Sequence, residues 1–243
     1  MTENVSAGRS AARPRRWRAR RLARAARAAR SVIRTKIVTT FYRRMVLLTY
    51  ELQGRRIPAF SSRIPVRYGT LTDADLGAYR RFRPKLGRRE LEHRLRRGDR
   101  CFVVWHEGRI VHECWVTTAP TAYVAYLHRE IRLEPGDAYY YGAYTDAGFR
   151  GLGLFTGCYS FIARTLQREG CRRSIALVAV ENRRSVLVLE RSGLTPGGLY
   201  ACLRLGPWRR HRAWPFPGRT LPPLQRPRSE PAGALPRRPV AWT

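Results

Sequence analysis

Apolar positions change period several times along the chain, and each change marks an element. Over residues 31–53, Ile33, Ile37, Phe41, Met45, Leu48 and Leu52 recur at spacings of three and four opposite Arg34, Lys36, Arg43 and Arg44. That stripe predicts an amphipathic helix over 31–56, opened by Ser31 and ended by Gly54. Residues 66–70 read as a short strand. Thr72-Asp73-Ala74-Asp75 then caps a short helix reaching about Arg81, which Pro84 breaks, and 88–97 is a second helix stopped by Gly98. The β-rich runs 101–106 and 110–117 flank Glu107-Gly108-Arg109 and predict a hairpin. Residues 120–133 are less regular and suggest one further strand, then a loop around Glu134-Pro135-Gly136. An aromatic-rich strand follows at 138–145. The strongest helix signal is 151–169, with Leu154, Cys158, Phe161, Ile162 and Leu166 on one side and Gly170 at its end. Residues 174–180 form a continuous apolar run, as a strand buried on both faces does. A helix over 183–192, opened by Asn182 and closed by Gly193, precedes a last strand at 198–205.

Charge divides the chain differently. The formal net charge is +31, yet residues 1–60 hold sixteen Arg or Lys against only Glu3 and Glu51, and 207–243 hold eight Arg against Glu230. The excess therefore sits largely at the two ends. Only Lys36 and Lys85 are lysines, a bias toward Arg that a GC-rich genome produces without functional demand, so the charge alone assigns no partner. Residues 1–30, with the Arg/Ala run RPRRWRARRLARAARAAR, form a basic segment expected to be partly disordered. Residues 61–206 form the folded domain. Nine of the sixteen prolines fall in 207–243, which predicts a disordered Pro/Arg-rich tail. The five cysteines are far apart and lack a C-x-x-C pair or clustered His, so they read as reduced core residues and no metal is expected. No secretory signal or membrane-spanning run is legible, and the expected location is cytoplasmic.

The chemistry concentrates at one strand-to-helix turn. Thr145-Asp146-Ala147-Gly148-Phe149-Arg150-Gly151-Leu152-Gly153-Leu154 ends the aromatic strand and opens the longest helix. A pyrophosphate needs converging NH donors, and the first helical turn supplies them with a positive dipole end. Gly151 and Gly153 let that backbone approach a bulky anion, and Arg150 adds a charge-assisted contact. About thirty residues on come Glu181-Asn182-Arg183-Arg184-Ser185 and then Glu190-Arg191-Ser192-Gly193-Leu194.

These motifs, together with the order β-α-α-β-β-β-α-β-α-β, resemble the GNAT acetyltransferase superfamily over 139–205. The resemblance implies an α/β (α+β) fold: a central mixed, mostly antiparallel sheet flanked by helices, here with a basic N-terminal helix added. It also implies acetyl-CoA or another acyl-CoA as co-substrate. Arg150, Gly151, Leu152, Gly153, Leu154 and Phe155 would hold the pyrophosphate. The pantetheine arm would run beside Tyr144 and Thr145 toward Asn182 and Ser185. The implied reaction is direct transfer of an acyl group to a primary amine. Two positions depart from the family pattern: Phe155 replaces a small residue of the loop, and Leu189 stands where many members carry a tyrosine acid. No carboxylate stands at the usual base position. The chain offers Tyr139, Tyr141 and Gly142 there, with Asp137 and Glu134 further back; Tyr141 is the candidate, as a water relay, against the plainer reading of an aromatic packed on the acceptor, and His112 and His128 read as structural before catalytic.

Three readings therefore stay open: an active N-acyltransferase, a catalytically silent acyl-CoA-binding module, and, last, a nucleic-acid-binding protein acting through its basic ends. Expected partners are a small-molecule or peptide amine and a second copy of the chain. For residues 13–53 the alternatives are packing on the domain or lying on an anionic membrane surface, which would make the protein peripheral to the membrane.

Overall fold

The computed structural model describes residues 41–227. Eleven strands and four α-helices follow one another among them. Strand β1 (Tyr42–Glu51) precedes β2 (Arg67–Thr70), α1 (Leu76–Phe82) and α2 (Arg88–Arg96). Strands β3 (Arg100–His106) and β4 (Arg109–Thr117) form the expected hairpin. Next come β5 (Thr121–Val124), β6 (Arg129–Arg132), β7 (Asp137–Thr145), α3 (Leu154–Arg168), β8 (Arg173–Ala179) and α4 (Arg183–Arg191). Strands β9 (Thr195–Leu205), β10 (Trp208–Pro215) and β11 (Leu224–Gln225) complete the order.

Eight strands make one sheet in the order β10-β9-β1-β8-β7-β4-β3-β2, in which only β7 and β8 run parallel. The predicted mixed, mostly antiparallel sheet is the one observed. One face packs on α3 and α4, where Val46, Leu48, Phe102, Val104, Val116 and Tyr140 meet Leu154, Cys158, Ile162, Leu166 and Leu189. On the other face, α1 and α2 cover the β2-β3-β4 end through Tyr79, Leu91, Val103 and Trp115. A small sheet ordered β11-β6-β5 covers the β1-β8-β9 end through Val124, Ile131, Leu177 and Tyr200.

Three expectations fail. The helix expected over 31–56 does not run through its later part: Tyr42–Glu51 is a strand inside the large sheet, while 31–40 lie outside the described residues. The run Met45-Val46-Leu47-Leu48 decides it. In extended chain, Val46, Leu48 and Tyr50 face α3 and α4, whereas Met45 and Leu47 face the small sheet, so both faces are buried. A helix of that composition would bury one stripe and leave β8 and β9 as unpaired edges. As a strand it pairs with β8 from Met45↔Ala179 to Glu51↔Arg173, and with β9 from Tyr42↔Leu203 to Thr49↔Thr195.

The tail is also ordered in part. Trp208–Pro215 pairs with β9 from Trp208↔Leu205 to Pro215↔Gly198, and Leu224–Gln225 adds to β6. The prolines flank β10 and leave 208–214 free of them, and a sheet edge tolerates Pro at a strand end. The folded unit thus extends beyond 61–206 at both sides, while 1–30 and 228–243 lie outside the described residues. Finally, 120–133 holds two strands rather than one.

Because β1 is interior, truncating it should be costly. Leu48 is fully buried between sheet and helices, so Leu48→Ala should cost about 2 to 5 kcal/mol in urea unfolding. An exposed helix at these positions would lose far less.

Candidate active site

Strands β7 and β8 are ladder partners only from Asp137↔Arg173 to Tyr140↔Ala176. This closed end is pinned by Arg173, whose Nε and Nη2 donate to the buried Asp137 carboxylate at 2.9 and 2.7 Å. Beyond it the strands part. Trp115 pairs with Tyr141 but Glu113 with Tyr144, so β7 carries one more residue than β4 between the same two rungs. That bulge holds Gly142 at φ 61, a left-handed conformation suited to glycine. Strand β7 follows β4 away while β8 follows β1, and a wedge opens between 141–145 and 177–179.

The mouth of the wedge meets the start of α3. Asp146 NH donates to the Val111 carbonyl at 3.0 Å, its carboxylate accepts from Gly148 NH, and a single 3-10 turn (Ala147–Phe149) leads to Arg150. Gly151 and Gly153 both sit at φ 79, and Gly153 is the N-cap. The loop is clamped from outside: Arg63 NH donates to the Leu152 carbonyl at 2.8 Å, and Ser61 O lies 3.2 Å from where a Gly153 Cβ would sit. The NH groups of Leu154, Phe155 and Thr156 in the first turn have no acceptor within the helix, and the helix dipole is positive there. Arg150 is exposed beside them, with its Nε 3.4 Å from the Thr145 carbonyl. Charge, NH donors and open backbone thus converge where an anion needs them.

Of the site residues expected from sequence, 144, 145 and 150–155 come together at this junction. Their side chains divide between the two faces. Thr145 points to the α3 side, its Oγ1 2.7 Å from His112 Nδ1. The Tyr144 ring points to the α1 side, against Phe82 and 4.1 Å beneath the Arg83 guanidinium, so it offers the wedge its backbone only. Phe155 does not crowd the loop: its ring turns edge-on to His112 at 5.9 Å and joins the core. Leu154 is core as well. Asn182 uses Oδ1 to cap α4 by accepting from Ser185 NH at 3.2 Å, which leaves its amide nitrogen and the Ser185 hydroxyl as the groups that can serve a ligand. Leu189 is buried in the core and reaches no site.

Tyr141 lies on the opposite face of the wedge, where it lines a small cleft with Tyr123, Tyr139, Arg94, Arg97 and Asp99. Its hydroxyl donates to Asp99 Oδ2 at 2.5 Å, and the Arg94 guanidinium lies 5.2 Å over its ring. Burial raises the Tyr141 phenol well above its usual range; Arg94 opposes that rise and Asp99 reinforces it. Asp99 was invisible in the sequence because it sits in the turn after α2, forty-two positions from Tyr141. Glu113 was missed likewise. It is buried, and burial raises its carboxyl despite the Arg83 Nε at 3.1 Å. A carboxylate beside His112 within a largely apolar strand was the available signal.

The model of the acetyltransferase (GNAT) family matches residues 69–194, just over half of the chain. The chain belongs to the GNAT acetyltransferase family. The match takes in the wedge, the loop and the Asn182 cap, and β1, β9, β10 and β11 lie outside it. A GCN5-related N-acetyltransferase from Sphaerobacter thermophilus is 13% identical with a TM-score of 0.51; the alignment covers 74% of this chain and 55% of that one. A putative GNAT acetyltransferase from Novosphingobium aromaticivorans is 13% identical with a TM-score of 0.47, covering 66% and 62%. An aminoglycoside 6'-N-acetyltransferase from Acinetobacter baumannii is 12% identical with a TM-score of 0.41, covering 53% and 90%. The chain therefore spans little more than half the length of the Sphaerobacter and Novosphingobium proteins. At 13% identity the likeness to the Sphaerobacter protein is one of fold. No curated protein matches the sequence.

Two outcomes follow from the site geometry. Gly153→Ala places a Cβ against Ser61 O in a left-handed conformation, which should cost about 1 to 2 kcal/mol and displace the loop. Calorimetry should show acetyl-CoA affinity reduced about tenfold or more, since a 1.4 kcal/mol loss is one decade. The second concerns His112, whose pKa burial pushes down to about 3 from 6.5. The unfolded chain then binds the extra proton between those values. This contribution to stability is complete above pH about 6.5 and falls as pH drops toward 3, by about 1.4 kcal/mol per unit. His128, lowered to about 4, and His211 act in the same direction. Urea midpoints measured from pH 7 to 4 should fall, and less steeply in His112→Gln.

Proposed function

We propose that the protein is an N-acyltransferase that moves an acyl group, acetyl being the smallest, from acyl-CoA to a primary amine by direct transfer. One observation carries the reading: the wedge between β7 and β8 opens onto the glycine-containing turn that starts α3. An elongated thioester with a pyrophosphate at one end fits that junction. Its phosphates would meet the first-turn NH groups and Arg150, and its arm would pass beside 143–145 and 177–179. Backbone NH groups there can polarise the thioester carbonyl.

The acceptor would enter by the Tyr141 cleft, on the face opposite α3. There the amine nitrogen attacks the carbonyl carbon and passes a proton to the Tyr141 oxygen, as the phenol gives its own to Asp99. The carbon–sulfur bond then breaks, and the thiolate takes a proton from water, since Leu189 offers none. The 2.5 Å Tyr141–Asp99 hydrogen bond supports this assignment. Tyr141 keeps the role of relay, and Asp99 becomes the end point of the proton.

Buried Leu189 supports a second reading, a silent acyl-CoA-binding module. Thiol release from acetyl-CoA against amino acids, amino sugars, polyamines and peptides separates the two. The enzyme reading expects release with at least one amine. It also expects a fall in kcat of about a hundredfold or more for Tyr141→Phe and Asp99→Asn at unchanged acetyl-CoA affinity. Arg150→Ala should weaken acetyl-CoA binding about tenfold, as loss of one charge-assisted contact does. Binding without turnover across the panel would establish the module, and no binding at high micromolar acetyl-CoA would defeat both.

A further inference from the structure

The hairpin of β9 and β10 carries an exposed apolar face for which acyl transfer has no use. Register places Trp208 opposite Leu205, Arg210 opposite Leu203, Arg212 opposite Ala201 and Trp214 opposite Leu199. Paired residues share a face, as do Tyr42 opposite Leu203 and Arg44 opposite Ala201 on β1. Trp208 is 81% exposed, Leu205 60%, Trp214 40% and Leu203 38%. Arg44, Arg210 and Arg212 are exposed among them. The other face of the hairpin is tied down: Tyr200 is buried with its hydroxyl on the Pro222 carbonyl, and His211 Nε2 lies 2.8 Å from the Leu127 carbonyl. The exposed face is thus held in position without a ligand.

We propose that this face docks on an anionic phospholipid bilayer, with Leu205, Trp208 and Trp214 at the boundary between headgroups and acyl chains. Tryptophans and aliphatic side chains on one face, with arginines interleaved, match the two parts of that boundary. The charge is complementary too. Strands β1, β9 and β10 contain a single acid, Glu51, which lies at the end of β1 away from the patch, so nothing on these strands opposes phosphate near it. A second copy of the chain fits less well. Antiparallel addition at the β10 edge would bring Arg209, Arg210 and Arg212 against their own counterparts. Single-stranded nucleic acid would use the tryptophans and arginines but gain nothing from Leu203 and Leu205. For residues 13–53 the sequence left packing on the domain or a membrane surface as alternatives, the latter through the apolar stripe of a helix over 31–56; the strand at 42–51 moves the apolar contribution to the hairpin.

The test uses the full chain and vesicles of phosphatidylcholine, with or without about a third phosphatidylglycerol. Because residues 13–30 are Arg-rich and attract anions by themselves, insertion rather than retention is the deciding readout. In a Trp17→Phe/Trp242→Phe background, brominated acyl chains should quench tryptophan fluorescence on the anionic vesicles, and the quenched fraction should disappear when Trp208→Phe/Trp214→Phe is added. Leu205→Glu/Trp208→Glu should lower the partition coefficient at least tenfold while leaving acetyl-CoA affinity and the unfolding midpoint unchanged. Equal quenching in that background with and without Trp208→Phe/Trp214→Phe would overturn the proposal, as would retention that salt abolishes without any quenching. So would a dimer in gel filtration that the Glu variant dissolves, or quenching by a single-stranded oligonucleotide with none by vesicles. None of these readouts involves turnover, so they stand or fall apart from the acyltransferase reading.

Discussion

One extra residue in β7 sets the rest of the site. Between the rungs Trp115–Tyr141 and Glu113–Tyr144 the two strands cannot stay in step, and Gly142 absorbs the mismatch in a conformation that other residues avoid. A bulge bends its strand, so β7 leaves β8 after four parallel rungs. The buried Arg173–Asp137 pair keeps those four rungs closed. A wedge with one pinned end and one open end is the result. The open end lies where Gly151 and Gly153 bring the chain into α3.

A strand that loses a partner on one side needs a firm one on the other. For β8 that partner is β1, paired over seven rungs and buried on both faces. Strand β1 comes from far earlier in the chain and slots between β8 and β9. It therefore holds the open side of the wedge and carries the β9-β10 hairpin, so the wedge and the exposed Trp/Arg face depend on the same insertion.

Polar groups buried around the wedge divide by face. On the α3 side, His112 is held neutral by burial and joins Thr145 to Phe155 beneath the loop. On the other side, Arg83 meets Glu113, and Asp99 meets Tyr141. The α3 side therefore presents donors suited to an anion, while the opposite side presents a carboxylate and a phenol suited to taking a proton.

The sequence by itself determined whatever is encoded within a few residues. The Arg150–Leu154 turn, α3 with its apolar side, the Asn182 cap and the buried run of β8 were legible because glycines, caps and periodicity act locally. Tertiary structure alone decided β1, because Met45–Leu48 suits a stripe or a doubly buried strand equally well until β8 and β9 stand on either side. It likewise drew β10 out of a proline-rich stretch, by supplying an edge to pair with. It turned Phe155 inward and brought Asp99 to Tyr141. Such outcomes depend on which distant surfaces meet, and desolvation and pairing, not local preference, supply the free energy that chooses among them.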